Sequence, residues 1–264
     1  MRIKRKVLPP TRPALVVQQA YQRRMDELIG LMHRDTVRTV SRTWKAKPPE
    51  SLAMDKSPAA LLNEAMARLV KRWTARFNKV AADMAKRFTR QSMGQAERTL
   101  KSSLQKNGLA LSSWKLTPAA NDAYQAVIAE NVGLIKSIPQ KYLGQVQGMV
   151  MRSVSQGGDL QQLTSDLTRE YGVTRRRAEL IARDQNAKAT AVIVKTRQIE
   201  AGLTQAVWMH SGGGDHPRPS HLKAGKDRLV FDIAKGAFID GEWIWPGQLI
   251  NCRCTSRPIV EGLT

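Results

Sequence analysis

The sequence predicts a mainly α-helical chain with a small α+β C-terminal module: long amphipathic helices followed by a short-stranded sheet. Two observations carry this. Before Gly202, apolar residues recur at three- and four-residue steps, which is a helical period. After Gly202 the period shortens and turn pairs punctuate the chain. Aromatic residues are 5% of the 264, which favours helices over a β-sandwich, while apolar residues reach 42%, enough to bury a core. No apolar run reaches the roughly 18 residues that a membrane-spanning helix needs, so no membrane partner is expected.

Residues 1–14 carry Arg2, Lys4, Arg5 and Lys6 with Pro9, Pro10 and Pro13, the composition of a basic extended arm. Leu15-Val16-Val17 is too short for the apolar part of a secretory signal, so none is expected. Tyr21, Met25, Leu28, Ile29 and Met32 predict a helix from Val16 to about Thr43. Pro48, Pro49 and Pro58 make Lys45–Pro58 a linker. A longer helix follows, with Leu62, Met66, Leu69, Trp73, Phe77, Met84 and Phe88 on one stripe. Its opposite face carries Arg68, Lys71, Arg72, Arg76, Lys79, Lys86, Arg87 and Arg90, and Asn107-Gly108 ends it.

Thr117-Pro118 starts the next helix with a capping hydroxyl and a proline at the first helical position. Pro139 predicts a break there, with a separate helix over 140–155. Asp159 caps a short helix bearing Leu160, Leu163 and Leu167, which Gly172 ends. Thr174 opens a helix that Gly202 stops, with Gln185 as a buried amide on its apolar face. Strands are expected at Gln205–His210, Leu229–Phe231 and Cys252–Val260. Ala237–Ile239 and Glu242–Trp245 flank Asp240-Gly241, the composition of a type I′ hairpin.

The 43 Lys+Arg against 22 Asp+Glu give a formal charge of +21. Residues 1–110 hold 24 basic and 8 acidic side chains, and residues 111–264 hold 19 and 14. A field of that sign attracts a polyanion: nucleic acid, an anionic membrane surface, or an acidic protein surface. Lys71, Arg72, Arg76, Lys79, Arg87 and Arg90 are the residues expected to meet it.

Residues able to carry chemistry gather near the C-terminus. His210, His216 and His221 lie in or beside the Gly212–His221 loop, and Cys252 and Cys254 follow. Two cysteines cannot staple a large fold, and a reducing compartment is the default. His221, Cys252 and Cys254 have the chemistry of a structural zinc site. In a regular strand the two cysteines share a face about 6–7 Å apart, so chelation needs a bend. The competing reading makes them small packing residues. A catalytic reading takes His221 as a base, Asp215 as its orienter and Arg218 as an anion clamp. No complete constellation accompanies it, since G-x-S-x-G, P-loop and H-E-x-x-H motifs are absent, so an enzyme is not expected.

Asp215, Arg218, Pro219, Ser220, His221 and Gly225 resemble the D-x-R-x-R-P-S-H…G signature of the Mu F-like phage head morphogenesis family, the minor head or minor capsid proteins. Pro246-Gly247 and Asn251-Cys252-Arg253-Cys254 resemble the elements that close its motif. Ala182-Arg183-Asp184-Gln185 and Glu200-Ala201-Gly202 are similar to its upstream helix, with Gln185 standing where the family has an acidic residue. The resemblance covers about residues 150–260. The basic helical region over 15–150 is read from charge and periodicity and finds no motif match; the resemblance implies a head morphogenesis domain over 151–264, with helices in 159–202 and a β module in 203–264. It further implies a virion component made in the host bacterial cytoplasm, which takes part in procapsid assembly and stays inside the head. The expected partners are the portal protein, capsid or scaffold proteins, packaged double-stranded DNA and other copies in a homo-oligomer. Two alternatives stand beside it: a DNA-processing or transferase enzyme with its site at Arg218 and His221, and a non-virion basic nucleic-acid-binding protein.

Overall fold

Among the described residues, the periodic apolar stripes fold as four long helices, preceded by one short strand and followed by short strands and one short helix. The structure is a computed structural model that describes residues 5–46, 57–109, 117–157, 159–213 and 216–261. In chain order the elements are β1 (Arg5–Val7), α1 (Leu15–Ala46), α2 (Pro58–Lys106), α3 (Pro118–Ser155) and α4 (Leu160–Glu200). These are followed by β2 (Gln205–Met209), α5 (Pro219–Lys226), β3 (Val230–Asp232), β4 (Ala237–Ile239), β5 (Glu242–Ile244) and β6 (Thr255–Glu261). No helix among the described residues is long and apolar enough to cross a membrane.

Start and stop signals act where the sequence places them. The Thr117 hydroxyl accepts the Ala120 amide at 3.1 Å. The Asp159 carboxylate accepts the Gln161 and Gln162 amides at 2.8 and 3.2 Å. Gly202, at φ +71°, ends α4, and the Leu203 amide reaches back to the Gln198 carbonyl at 3.0 Å.

Two expected breaks do not occur. α3 runs unbroken through Pro139. A proline inside a helix costs about 3 kcal/mol. Ile135, Ile138, Tyr142 and Leu143 are all buried around it, and each such side chain is worth about 1.5–3 kcal/mol, so packing wins. α4 likewise continues through Gly172, so Thr174 lies inside the helix rather than opening it. A helical glycine costs only about 1 kcal/mol, and Leu163, Leu167, Ala178 and Ile181 are buried on either side. The Lys45–Pro58 linker lies largely outside the described residues, since α1 continues to Ala46 and α2 starts at Pro58.

The chain forms two compact units: Met1–Gln19, Lys86–Ala129 and Ala182–Thr264 in one, Ala20–Ala85 and Glu130–Ile181 in the other. Each long helix contributes to both units. Among its described residues, the second unit's secondary structure is helical. Met25, Ile29, Met32, Met66, Leu69, Phe77, Tyr142 and Val146 fill its core. Tyr21 donates to Asn131 at 3.0 Å inside it.

The first unit packs helix segments with an antiparallel sheet of order β1-β6-β2-β3, and β4 and β5 form a separate hairpin. Asp240 at φ +54° and Gly241 at φ +84° give that hairpin its type I′ turn. Arg5–Val7 pairs with Ile259–Glu261, and Leu8 is buried, so this part of the predicted arm is an edge strand docked on the sheet. Arg197, 4% exposed, binds Glu97 at 2.6 Å and Glu200 at 2.7 Å.

Candidate functional site: a buried histidine–cysteine cluster

Two of the predicted local conformations near the cysteines differ in the structure, and both differences build the site. His221 lies in the first turn of α5 rather than in a loop. Pro219 pre-sets the helical φ there, and α5 turns His221 and Ala224 inward. Cys252–Cys254 is not a strand. Asn251 takes φ +60°, and the Cys252 amide closes a turn on the Leu249 carbonyl at 2.9 Å, before β6 begins at Thr255. This is the bend that chelation requires.

The outcome is a cluster of three buried side chains. His221 is 3% exposed, Cys252 4% and Cys254 5%. The His221 Nδ1 stands 3.5 Å from the Cys252 Sγ and 3.7 Å from the Cys254 Sγ. All three donor atoms lie within 4.8 Å of one another. Trp208 on β2 closes the back, edge-on to the His221 ring at 5.1 Å. Both cysteines are reduced. A hydrogen bond from the Cys254 thiol lowers Cys252 to about 5 against opposing burial, and the same bond together with burial pushes Cys254 up.

These donors fit a metal ion. A tetrahedral zinc with Zn–S near 2.3 Å and Zn–N near 2.0–2.1 Å places N and S about 3.5 Å apart, the separation that His221 makes with the two sulfurs. Thiolate and imidazole are also the donors zinc prefers.

The remaining motif residues tie the module together. Arg218 donates to the Ile250 carbonyl at 3.1 Å, joining the start of α5 to the cysteine turn. The Ser220 hydroxyl donates to Asp240 at 2.6 Å, joining α5 to the hairpin turn. At Gly225 a Cβ would lie 2.6 Å from the Cβ of His210, so only glycine lets α5 pack on the end of β2. Gly247, at φ +87°, donates its amide to the Cys252 sulfur at 3.3 Å. Asp215 lies outside the described residues. Arg253 is exposed; with Arg183, Arg218, His210 and His216 it lines a cavity of 410 Å³ beside the cluster.

Sequence reasoning missed the role of Asp184. Its carboxylate accepts the Asn251 amide at 2.7 Å and pairs with Lys188 at 3.4 Å, while Arg183 donates to the Asn251 side chain at 3.4 Å. The upstream motif thus holds the cysteine turn. The available signal was the pairing of Ala182-Arg183-Asp184-Gln185 with Asn251-Cys252-Arg253-Cys254 in one family pattern. Gln185 is buried as expected. His210 and His216 stay out of the cluster, and the His210 Nδ1 accepts the Gly212 amide at 3.0 Å.

The cationic positions Lys71, Arg72, Arg76, Lys79, Arg87 and Arg90 are all exposed on α2. Arg72 is not free, because it pairs with Asp35 at 2.8 Å.

Residues 144–257 match the family described as Phage Mu protein F like protein, which bears out the resemblance. The chain is also 26% identical over 250 residues to an uncharacterised protein of Haemophilus influenzae. That match takes in 92% of this chain and 53% of the relative, so the chain spans about half the relative's length. No solved structure matches.

Proposed function

We propose that the protein is a minor head component of a tailed bacteriophage that acts in head morphogenesis. It is made in the host bacterial cytoplasm, enters the procapsid, and works inside the head beside the portal. One observation carries this reading: the family match over 144–257 coincides with the module in which Arg218, Ser220, His221, Gly225, Cys252 and Cys254 meet. The cationic helices support the setting, since Lys and Arg contact phosphates without reading sequence.

The module is read as a structural element. Arg218 and Ser220 are engaged with Ile250 and Asp240, and the His221 ring faces two cysteine sulfurs that are buried with it, which favours a ligand role over a nucleophile open to substrate. His221 Nδ1, Cys252 Sγ and Cys254 Sγ would hold a zinc ion, which would supply a cross-link between α5 and the turn before β6. A small sheet module gains stability from such a staple.

Mass spectrometry of purified, DNA-filled particles, with chemical crosslinking, tests the reading. The expected result is peptides of this chain in the particle and crosslinks to the portal. Absence of the chain from such particles would overturn it.

A further inference from the structure

The cationic face of α2 has a counterpart on α1 that hydropathy patterning alone did not bring forward. Arg34 and Arg38 on α1 and Arg72 and Arg76 on α2 wall one groove of 340 Å³, together with Leu31, Asp35 and Trp73. All seven belong to the same compact unit. We propose that this groove is a binding site for the phosphodiester backbone of nucleic acid. The assignment deepens the proposed function and rests on its reading of the helical region as an anion-contacting surface.

Charge is the first argument. Four guanidiniums face one carboxylate, and that carboxylate is already engaged. Asp35 accepts from Arg72 at 2.8 Å and from the Trp73 indole N–H at 2.8 Å. Arg34, Arg38 and Arg76 have no carboxylate partner among the described residues. Among the described residues, the groove thus holds three positive charges that no carboxylate pairs with.

Preorganisation is the second. Asp35 fixes Arg72 in place, and the Arg76 guanidinium stacks over the Trp73 ring at 5.0 Å from its centre. Side chains held in position lose less entropy on binding. Arginine also presents a planar fork matched to two phosphate oxygens, which lysine lacks.

Spacing is the third. Each helix offers its arginines four residues apart, about 6 Å along the axis. A nucleic acid strand carries a charge about every 3.4 Å of rise, so a repeating polyanion meets both members of each pair. Trp73 is 3% exposed and its N–H is committed, so it offers no stacking platform for a base. The groove therefore grips the backbone without sequence preference.

The test uses full-length protein and two labelled duplexes of unrelated sequence, with fluorescence anisotropy read between 50 and 200 mM salt. The variants are a groove triple (Arg34→Gln, Arg38→Gln, Arg76→Gln) and a control triple of exposed lysines (Lys106→Gln, Lys141→Gln, Lys235→Gln), each checked for native circular dichroism. Wild type is expected to bind both duplexes equally, with affinity falling steeply with salt. The groove triple loses about tenfold or more in affinity at low salt, and its slope of log K against log salt drops by about 2.7, or 0.9 per lost contact. The control triple stays close to wild type. Equal losses in the two triples overturn the groove, as does poly-glutamate displacing DNA at equal charge concentration, which would assign it to acidic protein surfaces. No binding by wild type also overturns it, and the head assignment, judged on particle content, then stands or falls separately.

Discussion

His33 shows how a single buried ring sets a pH dependence. It stacks on Tyr171 at 4.4 Å, and in the neutral ring its Nδ1 accepts the Tyr142 hydroxyl at 2.9 Å. Burial lowers its pKa, with Arg34 adding repulsion. The unfolded chain then binds a proton more readily than the folded one. The stability from the neutral ring is complete above the ordinary histidine range near 6.5 and is lost as pH falls toward the depressed folded value. Urea unfolding of wild type is expected to show a lower midpoint at pH 5.5 than at pH 7.5, and His33→Gln to flatten that part of the profile. At this scale the sequence was informative about residue types and blind to partners. It put His221, Cys252 and Cys254 together by chemistry, yet Asp184 holding the Asn251 turn is a contact across 67 positions that no local pattern reports.

Among the elements, the legible ones were those whose signals are local. Apolar periodicity placed α1 and α2, Thr117 and Asp159 capped their helices, and Asp240-Gly241 turned its hairpin. Pro139 and Gly172 misled because a breaker's cost is local while the packing that overrides it is tertiary. The cysteine turn was hidden for a related reason: alternation in Cys252–Val260 suits a strand, but Asn251 at positive φ and the Asp184 bond bend its start. The packing of α5 on β2 depends on Gly225. Gly225→Ala drives a methyl into His210 and is expected to cost about 1–3 kcal/mol in chemical denaturation. Gly133→Ala in α3, where an added Cβ meets nothing within 4 Å, is expected to stabilise by up to about 1 kcal/mol. Equal effects in the two variants would contradict this account of α5.

Over the whole molecule, the charge asymmetry lies towards the front of the chain and the family match towards the back. The cationic front half was readable from composition, but the Arg34–Arg38–Arg72–Arg76 groove needed α1 placed beside α2. Similarity to the Haemophilus influenzae protein over 92% of this chain extends well beyond the family segment at 144–257, so the helical region is shared as well. The account turns on the module being held together at His221, Cys252 and Cys254. Metal analysis of the full-length protein, purified without chelators and paired with thermal unfolding, tests this most directly. The expected result is about one zinc per chain. Its loss should follow from Cys252→Ser or chelation, and zinc at about a thousandfold its dissociation constant should restore about 4 kcal/mol of stability. Metal-free protein whose unfolding is indifferent to added zinc would contradict the account.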